Sequence, residues 1–212
     1  MFALETFDHH PRTRERISQN LQAFERRSQP VDDLRHAAVA VTITHYLDES
    51  ALILTRRAGS LREHGGQWAM PGGRIDAGET AVQAALRELH EEINLELDEC
   101  QVLGILDDYV TRSGYNITPV VVWSEVDWGD LHPNPGEVAS INPFAFSELS
   151  RTDSPILQAI PESDRPVLSM HFGDDDVIFA PTGAMLYQFR EVAILGRVTR
   201  VLDFEQPVFA WK

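Results

Sequence analysis

The chain has 212 residues, of which 43% are hydrophobic and 24% charged, and its formal net charge is -15. That length suits one sizeable core with terminal extensions and is cramped for two domains, and the acidity argues against nucleic acid as a partner, because binding a phosphate backbone requires a basic face. Cys100 is the only cysteine, which excludes an intrachain disulfide; with no apolar leader and no run long enough to cross a bilayer, the expectation is a cytoplasmic protein without a membrane partner.

In chain order, His9-His10-Pro11 reads as a disordered leader rather than a metal site. Residues 11–27 predict a helix with Ile17, Leu21 and Phe24 on one side, broken by Ser28-Gln29-Pro30. Residues 37–43 and 51–54 are β-branched or apolar runs joined by an Asp48-Glu49-Ser50 turn. The next helix begins near Ala81, where Thr80 and Gln83 form a capping-box pair. Its apolar stripe is Val82, Ala85, Leu86, Leu89 and Ile93, and Asn94, which tolerates the left-handed conformation, stops it.

Further strands are expected at residues 102–106 and 117–123, followed by a loop at Asn134-Pro135-Gly136. Residues 142–149 lead toward a short helix, and 167–172 pair with 177–180 around Gly173 and the acidic turn Asp174, Asp175 and Asp176, read as solvent-facing. Thr182 should cap a last helix reaching Leu195, with Met185, Phe189, Val192 and Ala193 on its buried side. The tail from residue 197 carries Val201, Leu202, Phe204, Val208, Phe209 and Trp211, too apolar to dangle, and is expected to fold back on the domain or onto the partner of a homodimer. The pattern is α/β, with a mixed β-sheet covered on both faces. It divides into an N-terminal helical extension at 1–35, a main domain at 36–196 and the tail at 197–212.

The central helix carries Glu88, Glu91 and Glu92. At about 100° per residue these gather on one side, with Gln83, Arg87 and His90 on another. Like charges at these spacings repel, and no Lys stands four residues on to pair with them. An acidic surface helix is the plain alternative. A cation among the carboxylates accounts better for the missing partners, and oxygen ligands select Mg²⁺ or Mn²⁺. The Pro71-Gly72-Gly73 loop enters just before, able to bring a backbone carbonyl close to the ion. Upstream, Arg56, Arg57, Arg62, His64 and Arg74 concentrate positive charge in an otherwise acidic chain. This suits an anionic ligand, with Arg57 and Arg62 as phosphate contacts through their guanidinium forks, although arginines at a strand end also serve solubility alone.

Gly73, five residues, Glu79, seven residues and then Arg87-Glu88-Leu89-His90-Glu91-Glu92-Ile93-Asn94-Leu95 resembles the signature of Nudix hydrolases, departing only at Asn94, where the family has glycine. Ile53-Leu54-Thr55-Arg56-Arg57-Ala58 with Arg62, Gly66 and Met70-Pro71-Gly72-Gly73 is similar to the additional motif of the coenzyme A pyrophosphatases within that superfamily, with Met70 in place of an aromatic residue. The stretch from Ser113 to Val121 resembles those enzymes as well. The likeness implies a Nudix-type α/β/α sandwich and metal-dependent cleavage of coenzyme A or its derivatives to 3′,5′-ADP and 4′-phosphopantetheine.

By the same resemblance Glu88 and Glu92 are metal ligands, Glu91 is a third ligand or a base, and the Gly72 carbonyl completes the shell. Arg87 orients a carboxylate, and Glu79 anchors the loop. Glu137, after the Asn134-Pro135-Gly136 turn, is favoured over Asp107 or Asp108 as general base, and Arg57, Arg62 and Met70 bind substrate. ADP-ribose, a dinucleoside diphosphate or a nucleoside triphosphate are competing substrates. A silent nucleotide sensor is the non-enzymatic alternative, disfavoured by the complete glutamate set.

Overall fold

The computed structural model describes residues 7–29, 33–59 and 66–211. An eight-stranded mixed sheet forms its centre. β1 (Arg35–Tyr46) runs parallel to β7 (Tyr115–Asp127) and antiparallel to β2 (Glu49–Arg57) along its last residues and to β4 (Gly72–Arg74) along its first. β3 (Trp68–Ala69) and β8 (Val138–Ala145) pair with β2, while β5 (Val102–Ile105) and β6 (Tyr109–Val110) pair with β7.

Side-chain alternation along these strands builds two cores. Ala38, Ala40, Ile53, Val120 and Val122 face α2 (Ala81–Ile93), whose Ala84, Ala85, Leu89 and Ile93 are buried against them. Val41, Ile43, Leu52, Leu54, Val121 and Trp123 face the other way, into a larger core closed by α1 (Pro11–Ala23) and α4 (Thr182–Phe189). Helices thus cover both faces, an α/β/α sandwich on a mixed sheet. The strands β9 (Ile156–Ile160), β10 (Ser163–Phe172) and β11 (Asp176–Phe179) make a separate three-stranded sheet, entered through α3 (Phe146–Leu149). Among the described residues no helix is long and apolar enough to cross a membrane.

Several sequence expectations need correction. The first helix ends at Ala23 rather than 27, because Phe24 turns extended (φ -85, ψ 117) and the amides beyond leave the helical ladder for buried carboxylates. Arg27 N–H donates to Asp107 at 2.7 Å and Gln29 N–H to Asp108 at 2.9 Å. His9 is no loose leader: its ring stacks on Trp123 with centroids 4.2 Å apart. Asp174 and Asp175 are exposed, but Asp176 accepts from Trp68 Nε1 at 2.8 Å and opens β11.

The last helix is α only to Phe189, and Arg190–Ile194 continue as a π turn. Thr182 lies inside that helix rather than capping it, its hydroxyl donating to the Trp68 carbonyl at 3.4 Å. Beyond Gly196 the tail packs back on the domain. Tyr109 Oη donates to the Phe204 carbonyl, and Glu205 pairs with Arg112 and Arg165.

Candidate active site

The loop before α2 and the helix itself are braced by one arginine. Thr80 and Gln83 form the reciprocal capping box, and Asn94 closes the other end in the left-handed conformation (φ 54, ψ 29) with its N–H on the His90 carbonyl. Two turns into the helix, Arg87 reaches back to the loop. Its Nε donates to Glu79 Oε1 at 3.0 Å and its Nη2 to the Arg74 carbonyl at 3.0 Å. Its Nη1 donates to Glu88 at 2.8 Å and to Glu91 at 2.9 Å. Glu79 in turn accepts from Asp76 N–H at 3.0 Å.

The placing of Arg87 on a side away from the carboxylates therefore needs amending: four residues on, Glu91 stands only about 40° round the helix from it, and Arg87 donates through Nη1 to both Glu91 and Glu88. Its hydrogen bond to Glu79 foremost, then that to Glu88, raises its pKa, and the same contact lowers that of Glu79.

Glu92 points the other way, into the protein, and is 3% exposed. Burial pushes its carboxyl up to about 7, against the opposing pull of Arg57 and the Gly72 amide, with Glu88 and Glu137 adding to the rise. Glu88 is also raised, by burial first, despite Arg87. Gly72 and Gly73 make this closeness possible. A Cβ at Gly72 would stand 2.5 Å from the Ala38 carbonyl oxygen, and one at Gly73 would overlap the Glu88 carboxylate. Glu137 is carried in by the next loop. Asn134 N–H donates to the Glu92 carbonyl at 2.7 Å and its Nδ2 to the Glu91 carbonyl, while Ala58 N–H donates to the Glu137 carbonyl at 2.8 Å.

The donors suit a hard divalent cation: desolvated carboxylates at Glu88 and Glu92, oxygen ligands only, and backbone brought close by glycine. Among the described residues no three acidic, His or Cys side chains are already gathered tightly enough to hold an ion. Glu91, expected in such a trio, turns outward to Arg87. Mg²⁺ is ordinarily held by one or two carboxylates plus substrate phosphates and water, so a partial protein set is compatible with it.

Asp107 and Asp108 lie elsewhere. Asp107 holds Arg200 at 2.7 Å and Gln188, and Asp108 holds Arg26, Asn116 and Thr118. With those bonds they serve the packing of the chain ends.

A cleft of about 480 Å³ opens on the sheet face opposite α2, over Ala37, Val39 and Ile117. Arg56, Arg57, Gly72, Gly73 and Met70 line it, and Met70 is otherwise buried. Arg62 and His64 fall outside the described residues. The glutamates of α2 do not line the cleft. The sheet lies between, and the two groups meet only across the bare edge of β4, where two residues have no side chain. Sequence reasoning missed the far wall, made by β11 and the tail, with Phe179, Gln206 and Phe209 among its residues. The apolar character of the tail was the one signal of it.

The NUDIX domain family model matches residues 34–167. The chain is 35% identical over 162 residues to an uncharacterized Nudix hydrolase NudL of Photorhabdus laumondii, covering 76% of this chain and 86% of the relative. It is 40% identical over 120 residues to the protein of the same name in Pectobacterium atrosepticum, covering 56% and 62%. Among solved structures, a MutT/nudix family protein from Enterococcus faecalis aligns with a TM-score of 0.54 at 16% identity over 77% of this chain and 64% of that one, a likeness of fold. With the family signature on a capped helix and the matched region spanning most of the central sheet, the chain belongs to the Nudix hydrolases, enzymes acting on phosphorus anhydrides.

Proposed function

We propose that this protein is a divalent-metal-dependent pyrophosphohydrolase of coenzyme A or its derivatives, releasing 3′,5′-ADP and 4′-phosphopantetheine. The observation carrying the reading is the meeting of two chemistries at Gly72 and Gly73, with the buried Glu92 and half-buried Glu88 on one side and a cleft lined by Arg56 and Arg57 on the other. The choice of coenzyme A rests on the resemblance of the stretch from Ile53 to Gly73 to the motif of those enzymes.

Glu88 and Glu92 would hold Mg²⁺ or Mn²⁺ with the Gly72 carbonyl. Such an ion, when bound, acidifies water and neutralises charge on the phosphate oxygens. Arg87 keeps Glu88 in place and ties the glycine loop to the helix through Glu79 and the Arg74 carbonyl. Arg57, with Arg62 beyond the described residues, pairs with substrate phosphate, and Met70 packs against the substrate.

A water oxygen bonds to one phosphorus, the bridging P–O bond breaks with its electron pair on the departing phosphate, and the water proton passes to a carboxylate. Glu137 is the favoured acceptor. Its charge is felt by both Glu88 and Glu92, and no ion pair engages it among the described residues, whereas Glu91 is held by Arg87.

Incubation with Mg²⁺ and a panel of coenzyme A, ADP-ribose, NADH and nucleoside triphosphates, resolved by chromatography, tests the proposal. Coenzyme A or a thioester should be cleaved fastest, and the activity should vanish with a chelator. Faster cleavage of another member would remove the substrate assignment and leave the hydrolase standing.

A further inference from the structure

The family-model match ends at residue 167, yet the far wall of the cleft is built from residues beyond it. Phe179 closes β11, and its ring meets that of Phe209 edge to face with centroids 5.8 Å apart. Phe209 is 63% exposed although it lines the cleft, so much of its ring is uncovered. Three residues earlier, Gln206 is 3% exposed and lines the same wall. Its Oε1 accepts from Arg112 N–H at 2.7 Å, which sets the orientation of the amide. Its Nε2 donor has no partner among the described residues.

The segment that brings these groups is firmly held. Glu205 is buried and accepts from Arg112 Nη2 at 2.6 Å, Arg165 Nη2 at 3.1 Å, Ser163 Oγ at 3.0 Å and Gln206 N–H at 3.0 Å. Trp211 lies under the Arg112 guanidinium and donates from Nε1 to the Gln206 carbonyl.

We propose that Gln206 and Phe209 are specificity-determining residues that bind the base of a nucleoside diphosphate substrate, Phe209 against its ring and Gln206 through Nε2 to an acceptor on its edge. The proposal rests on the hydrolase reading above and deepens it. An uncovered aromatic face beside an oriented, unpaired donor is the chemistry of a heterocycle rather than of an alkyl chain, since only the heterocycle satisfies both. Other groups lining the same cleft, Arg56, Arg57 and the two glycines, suit the diphosphate. The chemistry thus belongs to the part of the chain matched by the family, and the choice of base to the part that follows it.

Phe209→Ala and Gln206→Glu test this on the full chain. The first removes the exposed ring, and the second keeps the acceptor for Arg112 N–H while replacing the donor with an acceptor. With whichever panel compound the wild type cleaves fastest, each should raise KM about tenfold while kcat moves far less, and Phe209→Tyr should restore KM. Equal KM for the wild type and both variants, or kcat falling in step with kcat/KM at constant KM, overturns the proposal. Since the compound is chosen by rate, a failed coenzyme A assignment appears in its identity and a failed base site in the unmoved KM. Should no compound be cleaved, calorimetric titration with adenosine 3′,5′-bisphosphate decides: about tenfold weaker binding to Phe209→Ala supports the site, and equal or absent binding refutes it.

Discussion

At the scale of single residues, Glu92 concentrates the conflict between folding and chemistry. Its carboxylate is shut away from water and lifted to about 7 by that burial, so its charged form is only partly compensated, by Arg57 and the Gly72 amide, until a cation arrives. Glu92→Gln should lower Mg²⁺-dependent turnover at least roughly a hundredfold, the scale of a lost electrostatic contact in the transition state. Its metal-free melting temperature should be no lower than wild type, because a neutral amide suits a desolvated position better. Near-normal turnover would remove Glu92 from the ligand set.

Gly73→Ala probes the same place by sterics. A methyl there overlaps the Glu88 carboxylate, the mobile end of a side chain, so the fold should survive while Glu88 is displaced. Turnover is expected to fall about tenfold or more with little change in melting temperature. A fully active variant would mean that the position of Glu88 is immaterial. The proximity of Glu88, Glu92 and the glycine loop was readable from residue spacing, because helix geometry and glycine sterics are local. The attachment of Glu91 to Arg87 follows the same helical spacing, as an i,i+4 ion pair, and is missed when Arg87 is grouped with Gln83 and His90 instead.

Among the elements, α2 was legible at both ends, since Thr80, Gln83 and Asn94 announce its limits through bonds made within a few residues. Elements limited by distant partners were not. The early end of α1 depends on Asp107 and Asp108, about eighty positions away, and the π turn after α4 packs against α1, with Asn20 Nδ2 donating to the Ala193 carbonyl. β4 and β3 are too short for any pattern, and β9 is mostly exposed, so its apolar signal is weak.

The tail is held by Glu205, and this attachment should respond to acid. Burial alone would push Glu205 up, but Arg112, the Gln206 amide, Ser163 and Arg165 together hold it at about 2, below the ordinary 4.5. A carboxyl lowered by folding stabilises the native state fully above its unfolded pKa and loses that contribution as pH falls through the folded value. The shift corresponds to something on the order of 3 kcal/mol. Glu205→Gln should therefore be less stable than wild type at pH 7, with the gap closing between about pH 4.5 and 2 in urea denaturation. A gap that stays constant with pH would show that the anionic form of Glu205 contributes nothing.

For the whole molecule, the expected division into extension, domain and tail meets a core that runs through all three. Ile17, Leu21 and Phe24 share one apolar cluster with Val41, Trp123, Phe189 and Val201. Two adjacent carboxylates add polar ties between the same parts. Asp107 joins the Arg27 amide at the N-terminal side to Gln188 and Arg200 near the other end, and Arg200 also donates to the Glu25 carbonyl at 2.9 Å. Asp108 joins Arg26 and the Gln29 amide to Asn116 and Thr118 of β7. An extension so connected has no surface of its own to retain once the domain opens. Unfolding in urea should then give one transition, coincident by tryptophan fluorescence and far-ultraviolet circular dichroism. Asp107→Asn removes the charge opposite Arg200 in a buried setting and should lower stability by about 3 kcal/mol. It should shift that single transition to lower urea without splitting it. If helical signal from α1 is lost in a separate earlier step, in either protein, the terminal segments are appendages and the shared core does not bind them into one cooperative unit.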